Sequence, residues 1–556
     1  MASATQFTTL AAIFNDQVAS LGTAPALHFV RDGETVTKSW QALGSDVYRW
    51  TSALARLGVN QGTHVVHWSS NRWEWVVTDL ALHCLGAVHV PVHGTLSGRQ
   101  AADQMIHSES TVAIVSGAPL LRKLSSFRDE LSSSIQWIAY DPVKTSPWGS
   151  VDSFEARLAD GDVAEGERLA AQTAAGLDPD ARTTILYTSG TTGEPKGIML
   201  SQRNLVSNSA ALAHTFADQP PGLRLNFLPL SHIFGRTCDL YTWITRGEEL
   251  ALTQSRETIV DDCQRFRPTA INGVPFFFER VRQKLEEKCK ADEPGVLMKL
   301  LGGNLTGCFS GGGALHDHTY EYYDSQGIPL MQGYGMTESS PVISFSTLEN
   351  RRRGTSGPGV DGVEIRIAED GEILTRGSHV MLGYWKNESA TSAAIQDGWL
   401  HTGDLGRLDE DGHLTITGRK KEMIVTATGK NVFPSHIEDM LCRDPLILQA
   451  VVFGDGRNCL SALLVPDPDV LKAEIKKNRI WVFSRKGAVK HKRVRKLYRE
   501  RIDRQLAELA HHEQVPLFTV LDHGFTIESG HMTAKLSLRR QVIEQDYKTN
   551  IDAMYR

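Results

Sequence analysis

The chain has 556 residues, 41% of them hydrophobic and 22% charged, which excludes a mainly disordered protein. It is too long for one core, since single cores stop growing at about 250 to 300 residues. Lys plus Arg at 59 against Asp plus Glu at 65 leaves a net charge of −6, so the whole molecule is no polycation for coating nucleic acid and any anion site must be local.

The opening MASATQFTTLAAIFNDQ has no Lys or Arg and no long apolar run, unlike a signal peptide. Seven scattered cysteines, Cys84, Cys238, Cys263, Cys289, Cys308, Cys442 and Cys459, form no CxxC pair, which argues against a disulfide framework or zinc ribbon. Both features point to a reducing, cytoplasmic setting. The most apolar stretch, Trp73 to Val92, is interrupted by Glu74, Asp79, His83 and His89. It predicts a buried helix over Trp73–Leu85 and a strand over Ala87–Val92 rather than a membrane span. His64, His67, His83, His89 and His93 have no convincing ligand spacing for a transition metal. Short apolar runs alternating with helical stretches predict an α/β chain. The polar Ala/Gly/Asp segment from Ala159 to Asp180 reads as a surface connection.

A strand over Thr184–Tyr187 then enters the sharpest feature, LYTSGTTGEPKG at residues 186–197. Gly190, Gly193 and Gly197 let backbone N–H groups converge on an anion, Thr188, Ser189, Thr191 and Thr192 add hydroxyl donors, and Lys196 adds a positive charge. The spacing is not that of a Walker loop. Farther on stand FLPLSHIFGR (227–236), SGGGAL (310–315), QGYGMTE (332–338), GWLHTGD (398–404) and GRKKE (418–422). From about Gly357, short β-rich pieces separated by Asp-Gly turns predict a small β-rich unit, and after Asn431 helix and strand mix to the end.

These segments, in this order, resemble the adenylate-forming superfamily, which includes acyl-CoA synthetases, luciferases and adenylation domains of peptide synthetases. INGVPFFFERV (271–281), LTRGSHVMLGYWKN (374–387) and GRKKEMIVTATGKNVFPSHIE (418–438) look like the long-chain fatty acyl-CoA synthetase branch. The resemblance implies a large N-terminal domain of stacked sheets and helices with a β-rich subdomain, residues 1–417, and a small mobile α+β lid, residues 418–556, hinged near Lys421. It implies ATP, Mg²⁺ and coenzyme A acting on a fatty acid. The phosphates would lie on Thr188 to Gly193 and Lys196, adenine between loops holding Gly312, Gly333 and Tyr334, the α-phosphate by Thr337, and Mg²⁺ on Glu338. His232 would lie beside the acyl carboxylate, Asp404 and Arg419 at the ribose, and Gly429 to Val432 on the thiol-transfer face. Val274, Phe276, Phe277 and Phe278 are tunnel-wall candidates, with ordinary core as the alternative reading of the Phe triplet.

The chemistry needs such groups, because a carboxylate attacking a phosphate must overcome like-charge repulsion. One departure stands out. In HMTAKLSLRR (531–540) the family's adenylation lysine falls on Ser537, and the available ammonium is Lys535, two positions earlier. In an extended segment that keeps the same face at a displacement of about 6.6 Å, so Lys535 is the expected catalytic cation. A fatty-acyl-AMP ligase serving a carrier protein, and an ATP- or acyl-binding relative without turnover, stay open as alternatives; the lack of a carrier-protein segment after the C-terminal domain favours transfer to coenzyme A. The basic stretch Lys472 to Arg504 reads as an amphipathic helix. It would serve a peripheral membrane contact or coenzyme A phosphates, or else pack its apolar stripe on the domain with a solvated outer face.

Overall fold

The computed structural model describes residues 8–189, 195–287, 293–482, 484–526, 529–532 and 538–556. The chain divides into two compact units: Met1–Arg366, Leu374–Thr402 and Leu408–Thr415 form the larger, and Ile367–Ile373, Gly403–Arg407 and Ile416–Arg556 the smaller.

The larger unit is built on two eight-stranded sheets. In the first, the strands Leu330–Gly335, Gly307–Ser310, Ala270–Gly273, Leu223–Asn226, Glu249–Leu252 and Pro25–Arg31 run parallel in that spatial order. Antiparallel Val342–Phe345 and Glu34–Ser39 close its edges. In the second, Arg182–Ser189, Val88–His93, His64–Ser69, Val112–Val115, Gln136–Ala139 and Val151–Ser153 are parallel, and Pro195–Ser201 returns antiparallel beside Arg182–Ser189. Central parallel strands are covered on both faces and so read as continuous apolar runs; Val112–Val115 is buried at all four positions.

The expected helix over Trp73–Leu85 is present and is buried from Glu74 to Leu85. Its neighbours are the helices Leu10–Leu21, Trp40–Arg56 and Val163–Gly176. Burial all round explains why it has no polar face. The following strand runs Val88–His93. The expected surface connection between residues 159 and 180 is instead occupied by the helix Val163–Gly176. The Asp162 side chain caps it by accepting from the Glu165 N–H, and small residues let it dock closely. A Cβ on Gly166 would lie 1.8 Å from the Tyr48 carbonyl oxygen, so the glycine that suggested a loop is the point of closest helix approach.

The smaller unit holds the sheet Ile447–Phe453, Ser461–Pro466 and Leu517–Val520, its first pair antiparallel and its second parallel. The basic stretch forms three helices rather than one, Pro468–Lys477, Arg485–Lys490 and Lys492–Gln505. Val494, Tyr498, Ile502 and Leu506 are fully buried in the core of this unit, so the apolar stripe is packed, as the solvated-face alternative expected. Among the described residues, no helix is long and apolar enough to cross a membrane.

Candidate functional site

The glycine- and hydroxyl-rich segment joins two antiparallel strands of the second sheet, with Thr188 opposite Lys196. Gly190, Thr191, Thr192 and Gly193 lie outside the described residues, and Ser189 ends the first strand. The Lys196 ammonium sits over the Tyr384 ring, 4.8 Å from its centroid. The Tyr384 hydroxyl donates to Glu338 Oε1 at 3.0 Å. Burial, then the neighbouring Glu338 carboxylate, push this phenol well above its ordinary pKa, so it stays a donor and holds the carboxylate in one orientation.

Two expected loops leave adjacent parallel strands, because Ser310 is in register with Gln332. Their proximity is therefore a consequence of strand order, and strand C-terminal ends are where open α/β sheets place ligands. Gly312 has φ 79° and the nearest atom to a Cβ there would be Val274 Cγ1 at 3.9 Å, which leaves open space along the backbone. Gly335 differs, because a Cβ would lie 1.8 Å from the Pro341 carbonyl oxygen. Gly333 and Tyr334 lie on the same strand, and Thr337 is buried in the short turn Thr337–Ser339 that follows. His232 stands just ahead of the π-helical segment Phe234–Tyr241, a form common at functional sites. Its Nδ1 accepts from the Phe234 N–H at 3.2 Å, which places the proton of the neutral ring on Nε2. The Phe234 ring would lie 3.1 Å from a Cβ on Gly311, so the His232 segment and the 310–315 loop are neighbours.

Beneath them lies a buried polar network that the sequence reading did not find. Arg236 donates to Asp79 Oδ1 at 2.6 Å and to Thr184 Oγ1 at 2.8 Å, and all three side chains are fully buried. His89 Nδ1 lies 2.7 Å from Asp79 Oδ1, His67 Nδ1 3.1 Å from His89 Nε2, and the Tyr140 hydroxyl 2.7 Å from His67 Nε2. One set of tautomers satisfies the chain: Tyr140 donates to His67, His67 to His89, and His89 to Asp79, with both rings neutral. Burial holds His89 down to about 4 and His83 down to about 3. Arg236 and the two nearby histidines, despite burial, hold the Asp79 carboxyl far below its usual range. Through Thr184 and Arg236 this network ties the strand entering the 186–197 loop to the segment carrying His232. The available signal was an Asp inside the most apolar helix and an Arg ending FLPLSHIFGR; both demand buried partners.

The Phe triplet divides. Phe278 is fully buried against Tyr323 and takes the core alternative, Phe277 packs on Phe227 with centroids 4.5 Å apart, and Phe276 is 52% exposed.

In the smaller unit, Asp404 is buried and its Oδ1 lies 3.0 Å from Arg419 Nε. Lys420 pairs with Asp370 at 2.6 Å and Glu372 at 3.1 Å. Lys421 is exposed in the turn Lys420–Glu422, and Gly429 has φ 74° in the connection between Ile424–Val425 and Asn431–Val432. Lys535 and Ser537 lie outside the described residues; Met532 and Leu538 form an antiparallel bridge on either side of them. Arg540, just beyond, donates to both Glu438 oxygens, at 2.5 and 2.8 Å.

Strand-end loops beside an oriented carboxylate and a lysine are an arrangement suited to a nucleotide-handling enzyme. The chain belongs to the AMP-binding enzyme family, whose family model matches residues 14–385, and the model of the family's C-terminal domain matches residues 421–556. It is 34% identical to the long-chain-fatty-acid–CoA ligase FadD15 of Mycobacterium bovis, over 90% of this chain and 89% of that protein. It is 26% identical to the long-chain-fatty-acid–[acyl-carrier-protein] ligase AEE15 of Arabidopsis thaliana, over 93% of this chain and 82% of that one. Among solved structures, o-succinylbenzoate coenzyme A synthetase of Bacillus subtilis, in complex with ATP and magnesium ion, has the same fold, with a TM-score of 0.72, 23% identity and coverage of 95% of this chain and 98% of that one.

Proposed function

We propose that the protein is an AMP-forming long-chain fatty acid:CoA ligase. The observation that carries the reading is the Glu338 carboxylate, oriented by Tyr384 beside Lys196 at the end of the 332–338 loop. The relative from M. bovis, matched over nearly the full length of both chains, supports the substrate class. A fatty carboxylate attacks the α-phosphorus of ATP and pyrophosphate leaves; the coenzyme A thiol then attacks the acyl carbonyl and AMP leaves.

Thr188, Ser189, Gly190, Thr191, Thr192, Gly193 and Lys196 would hold the phosphates. Gly312, Gly333 and Tyr334 would hold adenine, and Thr337 the α-phosphate. Asp404, with Arg419 beside it, offers an acceptor for the vicinal ribose hydroxyls. His232 would present its Nε2 proton to the acyl carboxylate. Glu338 fits Mg²⁺, since Oε1 is occupied by one phenol and the carboxylate keeps oxygen acceptor capacity. Mg²⁺ takes one or two carboxylates and completes its shell with phosphate and water. When bound, it would neutralise phosphate charge during displacement. Lys535 would supply the adenylation cation in place of Ser537, and Lys421 the hinge of a lid spanning residues 418–556. The Arabidopsis relative supports a second reading, delivery to a carrier protein.

The test is pyrophosphate release and thioester formation with fatty acids of increasing length. Wild type should release pyrophosphate and AMP with coenzyme A. Glu338→Ala should lose at least about a hundredfold in pyrophosphate release, comparable with removal of a transition-state donor, and Lys535→Ala should also fall. Acyl-adenylate that accumulates with coenzyme A and clears only with a carrier protein would favour the second reading. No fatty-acid-dependent pyrophosphate at all would refute both.

A further inference from the structure

Residues 472–496 carry eleven Lys and Arg against one acid, Glu474, in a chain whose net charge is −6. Glu474 is already engaged by Arg501 at 3.2 Å. The cations Lys476, Lys477, Arg479, Arg485, Lys486 and Lys490 are exposed. In their midst Trp481 is 87% exposed, whereas the next most exposed large apolar side chain among the described residues, Phe276, reaches 52%. A single exposed apolar side chain is ordinary on a protein surface, so what sets this turn apart is the combination of a large indole with a dense field of exposed cations.

The local backbone accounts for the projection. Helix Pro468–Lys477 ends at Asn478, and the Arg479 N–H closes back on the Lys476 carbonyl at 3.1 Å. Arg479 takes the left-handed conformation, φ 50°, which redirects the chain. Ile480 is buried, and its N–H donates to the Ile475 carbonyl at 3.0 Å. Arg493 Nη2 donates to the Asn478 carbonyl at 2.8 Å, pinning the start of helix Lys492–Gln505 to the same turn. The turn is therefore anchored up to Ile480, immediately before the exposed Trp481 side chain, which sets the indole within a basic field.

We propose that this turn docks the smaller unit on an anionic lipid surface, with Trp481 inserted at headgroup level and the surrounding cations over acidic headgroups. Indoles favour that level, where one edge is apolar and the other wet, and basic side chains near a negative leaflet add to binding. Neither force alone suffices for stable attachment. A nucleic acid would also meet the charge, but single-strand grooves use successive aromatic platforms, and Trp481 is the one large apolar side chain exposed between residues 468 and 505 among those described. The choice of lipid also rests in part on the ligase reading, because long fatty acids partition into bilayers.

The test is sedimentation of the full chain with vesicles of phosphatidylcholine plus phosphatidylglycerol, against vesicles of phosphatidylcholine alone. Binding is read without ATP or substrate, so it stands or falls independently of ligase activity. The wild type should pellet with the anionic vesicles and much less with the neutral ones, and should be released by high salt, where the Debye length falls to about 3 Å at 1 M. Each cation withdrawn near the surface lowers partition by about fivefold, so Lys476→Gln/Lys477→Gln/Arg479→Gln should lose at least about tenfold. Trp481→Ala should lose about tenfold and Trp481→Phe much less. All these variants should keep their circular dichroism and their pyrophosphate release on a water-soluble fatty acid. Equal binding to both vesicle types, or unchanged binding by Trp481→Ala, overturns the proposal. So does a single-stranded oligonucleotide that binds through Trp481 more tightly than the anionic vesicles.

Discussion

Mild acid should destabilise the larger unit well before ordinary carboxylates titrate. His83 and His89 are fully buried beside Arg236 and are held neutral, at about 3 and about 4, whereas an unfolded imidazole titrates near 6.5. Their folded values are depressed, so the stability they permit is complete above pH 6.5 and drains away as pH falls toward the folded values. From pH 8 to pH 5 the unfolded chain takes up nearly a full proton at each site and the folded chain almost none, which costs about 2 kcal/mol per histidine and about 4 for the two. Against a total stability of about 5 to 15 kcal/mol this is a large fraction. Asp79, whose carboxyl is held low, adds a further loss only below about pH 4. Ten of the eleven tryptophans lie in the larger unit, and Trp75 stacks on His67 with centroids 5.0 Å apart, so tryptophan fluorescence reports on this region. The urea midpoint followed this way should fall steeply between pH 7 and pH 5. His89→Gln, which can still donate to Asp79 but does not titrate, should lose about 2 kcal/mol less than wild type over that range, whatever its absolute stability. A midpoint flat over that range, or an equal loss in wild type and His89→Gln, would refute the reasoning.

Tyr384→Phe removes the donor on Glu338 without touching the carboxylate; pyrophosphate release should fall about fivefold, as expected for one lost hydrogen bond of about 1 kcal/mol, and more magnesium should be needed for half-maximal rate. Gly335→Ala forces a Cβ onto the Pro341 carbonyl, so the variant should lose ATP binding by calorimetry or fail to accumulate as soluble protein. Arg540→Met strands the buried Glu438 carboxylate and should destabilise the smaller unit by about 3 to 5 kcal/mol, read as a lower thermal midpoint by calorimetry, while Glu438→Gln paired with Arg540→Met should recover part of the loss.

Much of the architecture was legible because its signals are local. Strand runs and Asp-Gly turns announce themselves within a few residues, and the 186–197, 310–315 and 332–338 segments keep their chain order. Three features were not. The helix Val163–Gly176 was hidden because small residues suit a linker as well as a close helix contact, and only the position of Tyr48 decides between them. The Asp79, His89, Thr184 and Arg236 network joins positions up to 157 apart, and each member alone looks like a stray polar residue. Trp481 was invisible because exposure is not written in residue type; an indole between Ile480 and Val482 reads as core until the turn is seen. The basic stretch from Lys472 to Arg504, by contrast, was plain, and the apolar stripe that begins at Val494 packed as the spacing allowed.

The Asp79 to Arg236 pair also bears on how the chain emerges from the ribosome. Synthesis proceeds from the N-terminus, so the helix bearing Asp79 exists long before the guanidinium that neutralises it. Until residue 236 is made, burying that carboxylate means burying an unmatched charge. The first half of the larger unit must therefore wait, exposed and greasy, for a partner encoded far downstream. A fragment ending near residue 200 should be a client for chaperones rather than an autonomous folding intermediate.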